Sequence, residues 1–408
     1  MTLATRLRSS AVLEVTRTAV GSLASLESDW RSVESSGRSS FFQSWDWIGS
    51  LLEALPAAVQ PSVLRVFSDR RLVALGLLWR GTQQRHGFVR SRTLHLNETG
   101  LADFDRITLE HNGLVTAEGF EVLAVNAVVG HLSQQDDWDE LYLAGLASPT
   151  HTDWSRAART SHLWVHTRWE KPFYYIDLEQ IRSAGHSYLA VLSANTRYQA
   201  RRAMKLYSSR GDLRFEQASS IEEARDWFSK LAALHQRYWI AKGQEGAFCT
   251  DFVLRFHATL ISRGWPNGSV KVARVLVGTD ALGYIYNFFQ NGVLYNYQAG
   301  HVSEDASKLK PGLVCHSLAA EDAVQRGYAV YDLMMGGGHF KPGLTNATGS
   351  MVWSVIQKKR LAIGIENVLR RSRDNWRSGA RSRGSEGAAI HASLTDEPLE
   401  LHPAHKSK

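Results

Sequence analysis

The sequence predicts a mixed α/β chain of the α+β kind. It reads as two similar units, each a mostly antiparallel sheet flanked by helices, with a disordered tail behind them. Three observations carry this. Residues 220–335 alternate helical and strand-like periodicity in the order helix, helix, three-strand meander, helix, strand. A fainter copy of that order runs over residues 41–147. Beyond about Arg371 the chain turns to Arg, Ser, Gly and His without periodicity, a composition that cannot bury a core. At 408 residues, 44% of them apolar, there is room for two cores. The expected division is 1–175, 176–370 and a basic tail at 371–408.

In the first unit, "FFQSWDWIGSLLEAL" is an aromatic-rich helix with Phe41, Phe42, Trp45 and Trp47 on its core face. "SVLRVFSDRRLVALGLLWRG" makes a hairpin around Ser68-Asp69-Arg70, and "FVRSRTLHLN" supplies a third strand. "GFEVLAVNAVVGHL" is a helix and "DELYLAGL" a closing strand; the strand-like "HLWVHTRWEKPFYYIDL" joins the units. "SANTRYQARRAMKLYSSRG" is a helix capped by Ser193 or Asn195. Its wheel lines up Arg197, Arg201 and Lys205, with Arg202 beside them, opposite Ala200, Ala203, Met204 and Tyr207.

The second unit is punctuated more sharply. A capping box at Ser220 and Glu223 opens a helix that Gly243 closes. A second helix spans Asp251 to Arg263, before Gly264 and Pro266. Three strands follow, turned at Gly278-Thr279-Asp280 and at Asn291-Gly292, a strong hairpin signal. Pro311 starts the next helix and Gly327 ends it, and "YAVYDLMM" is the strand after it. A last helix is expected at 361–376, with Arg370, Arg371 and Arg373 near its end.

Charge narrows the partners. A net charge of +7 and a pI near 9.3 favour anionic ones: nucleic acid, a phosphorylated cofactor, or an acidic membrane face. Cys249 and Cys315 form no disulfide framework, the start shows no signal-peptide core, and no run is long enough to span a bilayer, so the expected compartment is the cytoplasm. Sixteen histidines show no ligand spacing, and no metal is expected. The glycine-rich stretch "YDLMMGGGHFKPG" at 331–343 is neither a P-loop nor a dinucleotide loop: Lys341 is followed by Pro342, and it stands where a third fingerprint glycine belongs.

Meander, helix and strand in this order form the core of the GNAT acyltransferase fold. The chain resembles the tandem-GNAT proteins related to the Fem-type peptidoglycan aminoacyltransferases, nearest the CelD-like acetyltransferases of cellulose biosynthesis. "FFQSWDWIGSLLEAL", "NTRYQARRAMKLYSSRG" and "LKPGLVCHSLAAEDAVQRGYAVYDLMMGGGHFK" carry the resemblance, which covers most of residues 30–370.

The resemblance implies acetyl-CoA or another acyl-CoA as donor, with aminoacyl-tRNA as the alternative, since Fem-type enzymes use it. The acceptor would be a small or lipid-linked saccharide, a cell-envelope or exopolysaccharide precursor, handled near the inner membrane face. It puts the donor phosphates at the helix start "KLKPG", where free N–H groups and Lys308, Lys310 and Gly312 meet. Only Gly312 remains of the usual Gln/Arg-x-x-Gly-x-Gly/Ala loop. Tyr297 and Gln298 would lie along the donor arm, and Tyr295 would face the acceptor, though tyrosines on a sheet are commonly core.

An aspartate among Val330, Leu333 and Met334 must be paired, hydrated or used. Asp332 and His339 are therefore the candidate bases, and Lys341 the group that steadies an oxyanion or an acidic acceptor. The bland alternative pairs Asp332 with an arginine. Arg197, Arg201 and Lys205 form a solvated face or a polyanion contact. A basic module that binds polyanions on a decayed GNAT core is the non-enzymatic alternative, and it lacks the aromatic and zinc motifs of nucleic-acid readers.

Overall fold

The computed structural model describes residues 13–85, 89–304, 306–336 and 340–368. The first half runs β1 (Leu13–Ala19), α1 (Leu23–Glu34), α2 (Trp45–Ala54), β2 (Ser62–Ser68), β3 (Arg71–Arg85), β4 (Val89–Leu96), β5 (Val115–Thr116), α3 (Glu121–Ser133), β6 (Glu140–Ala147), α4 (Ser148–Thr160) and β7 (Trp164–Asp177). Three connecting helices follow: α5 (Leu178–Ser183), α6 (Tyr188–Val191) and α7 (Ala194–Ser208). The second half is β8 (Leu213–Gln217), α8 (Ile221–Ala241), α9 (Asp251–Gly264), β9 (Val270–Val277), β10 (Asp280–Gln290), β11 (Val293–His301), α10 (Pro311–Gln325), β12 (Val330–Met335) and β13 (Ala347–Gln357). A helix at 361–368, here α11, closes the described chain. The predicted mixed α/β class is what forms. The rest of the expected 361–376 helix and the tail at 371–408 lie outside the described residues.

Local signals explain most element ends. Ser220 Oγ accepts the N–H of Glu223 at the start of α8, while the Glu223 carboxylate turns back to Ser219. Asp69 and Arg70 both have positive φ, so they form the tight hairpin turn between β2 and β3. Asn291 and Gly292 do the same between β10 and β11. The aromatic helix begins as a 3₁₀ turn, Phe41–Gln43, and Ser44 then caps α2.

All strands join one sheet in the order β1-β2-β3-β4-β6-β13-β7-β12-β11-β10-β9-β8, with β5 paired to β3. The halves are not simply side by side. β7, from the first half, pairs with β12 of the second, and β13, from the second, pairs with β6 of the first. Between them β7 and β13 pair along their whole length.

In each half the one parallel pairing is short. β11 meets β12 only over Val293–Tyr295 with Val330–Asp332, and β4 meets β6 only over Thr93–His95 with Glu140–Tyr142. Beyond those residues the strands splay. Tyr297 is an extra residue in β11, opposite the register shift between Tyr286 and Asn287, and the bulge turns the strand where the splay opens. The core is aromatic: Phe41, Phe42, Trp47, Phe256 and Phe288 interlock across the two halves, with Phe41 stacked on Phe288 at 4.2 Å.

Candidate active site

The two splays have different contents. In the first half, residues 107–114 fill it: Asn112 N–H bonds Gly145 O, and Asn97 and Asn112 clasp each other and the ends of β4. Gly145 makes this possible, at φ 60 and so close to Leu109 that a Cβ would lie 2.3 Å from its carbonyl oxygen. This plug carries Glu110 and His111 across to the splay of the second half.

There His111 Nε2 lies 2.8 Å from Asp332 Oδ2. The partner of Asp332 is thus a histidine from the other half, and the arginine pairing is not what forms. Asp332 Oδ1 accepts the N–H of Met334, and the buried carboxylate of Glu110 accepts the N–H of Met335. These bonds hold a kink: Met334 has φ 64 and the β12–β7 register shifts between Asp332 and Met335. Such backbone costs about 1–3 kcal/mol and persists only where its surroundings enforce it. Lys341 Nζ donates to Met335 O from the next turn. Phe173 of β7 and Tyr295 of β11 wall the imidazole at 4.9 and 5.5 Å, and Ser40 Oγ donates to the His111 carbonyl.

The charges in this group are tuned. Burial pushes the Glu110 carboxyl up to about 7, with Asp332 adding to it and Lys341 and His111 opposing. Burial draws Lys341 down to about 8 against the pull of Glu110 and Asp332. Burial alone would lower His111, but Asp332 and then Glu110 outweigh it, and the imidazole is raised. Glu110, His111, Asp332 and Lys341 are thus one buried cluster in which each of the three displaced groups is shifted by burial and by its charged neighbours.

Of the predicted site residues, Asp332, Lys341 and Tyr295 meet here, and His339 lies outside the described residues. Glu110 and His111 were not anticipated. Tyr297 packs into the core against His257, Phe288 and Trp47, so its ring is structural and only its strand borders the cleft. The Gln298 side chain bonds His235 of α8.

Lys308 and Lys310 are exposed before α10, and Lys310 is its left-handed N-cap. Gly312 is buried, and its approach is narrower than expected: a Cβ there would meet His301 Nε2 at 2.9 Å and Phe340 at 3.5 Å. On α7, Ala200, Ala203 and Tyr207 are buried as expected. Arg197 is half-buried and donates to Ala190 O, while Arg201 and Lys205 of the predicted face are exposed. Among the described residues no His, Cys, Asp and Glu group could hold a metal, and no helix is long and apolar enough to cross a membrane.

Residues 194–342 match the family described as an acetyltransferase (GNAT) domain. Among solved structures the chain is similar to FemX, at 10% identity and TM-score 0.55, covering 83% of this chain and 96% of that one. It is also similar to a conserved protein of unknown function from Bacteroides thetaiotaomicron, at 9% identity and TM-score 0.51, covering 85% of this chain and 100% of that one. No curated protein sequence matches. The likenesses show a fold shared over most of the chain, with the matched acetyltransferase domain in the second half.

Proposed function

We propose that the chain is an acyltransferase whose second half binds the donor in the β11–β12 cleft and whose first half supplies the base. The observation that carries this is the His111–Asp332 pair at the mouth of the splay. A carboxylate that already accepts from Met334 accepts again from His111, so Nε2 holds the proton and Nδ1 is the base. The acceptor amine or hydroxyl attacks the donor carbonyl and its proton passes to Nδ1. A C–N or C–O bond forms, the donor's C–S or C–O bond breaks, and the thiolate or alkoxide leaves. Lys341 and the protonated imidazole offset the negative charge that develops on the carbonyl oxygen. Glu110 orients this pair and sets how much charge the cleft carries.

Acetyl-CoA or another acyl-CoA is the donor in this reading, with its phosphates at Lys308, Lys310 and the start of α10. The acceptor is a saccharide or cell-envelope precursor, as the CelD-like resemblance suggests. One observation favours a second donor. The approach to Gly312 is lined by His301 and Phe340, and no standard pyrophosphate loop is present. An aminoacyl-tRNA, whose reactive end is an ester, would use the same base and rest its backbone on Arg201 and Lys205.

Thermal shift and calorimetry against acetyl-CoA, longer acyl-CoAs and bulk tRNA separate the two. Mass spectrometry of acceptor sugars then identifies the group transferred. Saturable binding of one donor, with transfer lost in His111→Ala, is the expected result. Failure of every donor to bind overturns the reading.

A further inference from the structure

A bulge in β7 re-aims Arg168. Trp169 pairs with Trp353 of β13, the register then shifts so that Thr167 pairs with Ser354, and Arg168 is left without an opposite residue. Arg168 and Trp169 therefore turn to one side of the sheet although they are adjacent in sequence. The guanidinium carbon lies over the Trp169 ring at 4.6 Å and over the Tyr142 ring at 5.4 Å. Trp353 stands beside Trp169, with ring centroids 6.4 Å apart, and all four residues are half-buried.

Arg210, Arg263 and Arg274 also lie over aromatic rings, and each has an ion-pair partner: Glu304, Glu53 and Glu216. Arg168 makes no hydrogen bond or ion pair among the described residues. Glu140 and Glu170, two positions from Tyr142 and from Arg168, are engaged elsewhere. Glu140 accepts from Arg85, Ser91 and Gln357, and Glu170 accepts from Ser350. A guanidinium held over two rings is fixed in place yet keeps its N–H groups, whose fork meets a carboxylate or a phosphate. The indole faces beside it suit the apolar C–H face of a sugar ring.

The position also relates this cluster to the cleft. Lys171, which is exposed, and Phe173 follow Trp169 at steps of two on β7 and so share its side of the sheet. Phe173 is the ring that walls His111 at 4.9 Å. At about 3.3 Å per residue, Trp169 lies about 13 Å along the strand from it.

We propose that Arg168, Tyr142, Trp169 and Trp353 bind an anionic saccharide, with its carboxylate or phosphate on the guanidinium and its ring on the indoles, and that this ligand is the far end of the acceptor. The place in the reaction rests on the transferase reading above; the binding site does not. A uronate and a sugar phosphate offer the same pairing of ring and anion.

The test is calorimetry on the full chain with glucuronate, glucose 1-phosphate, glucose and inorganic phosphate. At least one charged sugar should bind roughly tenfold or more tighter than glucose and than inorganic phosphate, and the tighter of the two identifies the anion. Arg168→Gln should weaken that binding by roughly tenfold or more, and Arg168→Lys, which keeps the charge but loses the fork, should restore only part of it. Arg168→Gln gives up no hydrogen bond of the fold, so its melting temperature should stay near the parent's. His111→Ala should bind the sugar as the parent does while losing transfer. Failure of both charged sugars to bind overturns the proposal, as does binding that survives Arg168→Gln. Inorganic phosphate that binds as tightly as glucose 1-phosphate overturns the saccharide assignment. Binding that depends on Arg168, with no transfer to the bound sugar from any donor, keeps the site and overturns its place in the reaction.

Discussion

Replacing Asp332 by asparagine exchanges one oxygen for an amino group at the centre of the cleft. Oδ1 now accepts from Met334 at 2.7 Å and Oδ2 faces His111 at 2.8 Å. An asparagine keeps the first bond through its carbonyl and aims its amino group at Nε2. That group donates, so Nε2 must accept, the ring proton moves to Nδ1, and the base is capped. A correctly placed base contributes roughly 10²–10⁴ in rate, which is about 2.7–5.4 kcal/mol of barrier at 1.36 per decade. Stability should fall less, by about 1.5–3 kcal/mol for one charge-assisted bond. Asp332→Ala strands the imidazole and should cost about 3–5 kcal/mol.

The pH dependence separates the roles further. His111 is raised in the fold, chiefly by Asp332 against the effect of burial. Its contribution to stability is complete below the ordinary histidine value and is lost as pH rises through the raised one. Activity, which needs the neutral ring, appears over that same rise. In Asp332→Asn the ascending limb of the residual rate should move to lower pH. The assay is thiol release from acetyl-CoA with a panel of amino sugars, beside thermal denaturation and an imidazole NMR titration. A variant as stable and as active as the parent, with an unmoved limb, refutes the mechanism.

Lys308→Ala/Lys310→Ala should weaken donor binding at least about tenfold, at roughly 1.5–3 kcal/mol per charge-assisted contact, with the melting temperature unchanged. Calorimetry decides it. Glu110 holds its proton up to about 7, chiefly through burial, against an ordinary 4.5. The native state therefore binds more protons across that window, and stability falls as pH rises through it, by up to about 3 kcal/mol. Glu110→Gln should flatten that fall when melting is compared at pH 5 and 7. Gly145→Ala puts a Cβ 2.3 Å from Leu109 O at φ 60, so it should displace residues 107–114. Turnover should drop sharply and donor affinity stay near the parent's, as titration and steady-state rates would show.

The second half was legible because its punctuation is local: Ser220 with Glu223, Asn291-Gly292, Pro311 and Gly327 each act within a turn of themselves. β13 was not anticipated, because "ATGSMVWSVIQ" opens with small and polar residues that blur its alternation. β7 read as a joining strand, and its half-buried character follows from its place between two strands of the other half. Asp332 stood out because a carboxylate in an apolar strand demands a reason. Glu110 and His111 carried no such mark: in "LEHNG" they look like an ordinary polar loop. Only the packing of that loop into the first splay brings His111 beside a residue 221 positions later. Tyr295 and Tyr297 do share one face, as the alternation predicts, and both rings lie against the aromatic core, while the Gln298 side chain turns to His235 of α8.

The exchange of β7 and β13 has a consequence for synthesis of the chain. β6 ends at Ala147, and its neighbour in the sheet, β13, begins at Ala347. At about 5–20 residues per second the ribosome needs roughly 10–40 s to make the chain between them. During that time β6 has an open edge and β7 waits for both of its partners. Pairings this distant in sequence close slowly, so the nascent first half should be a client for chaperones that shield strand edges. The junction of the halves forms late, because the strand that locks them together is made after every other strand of the sheet.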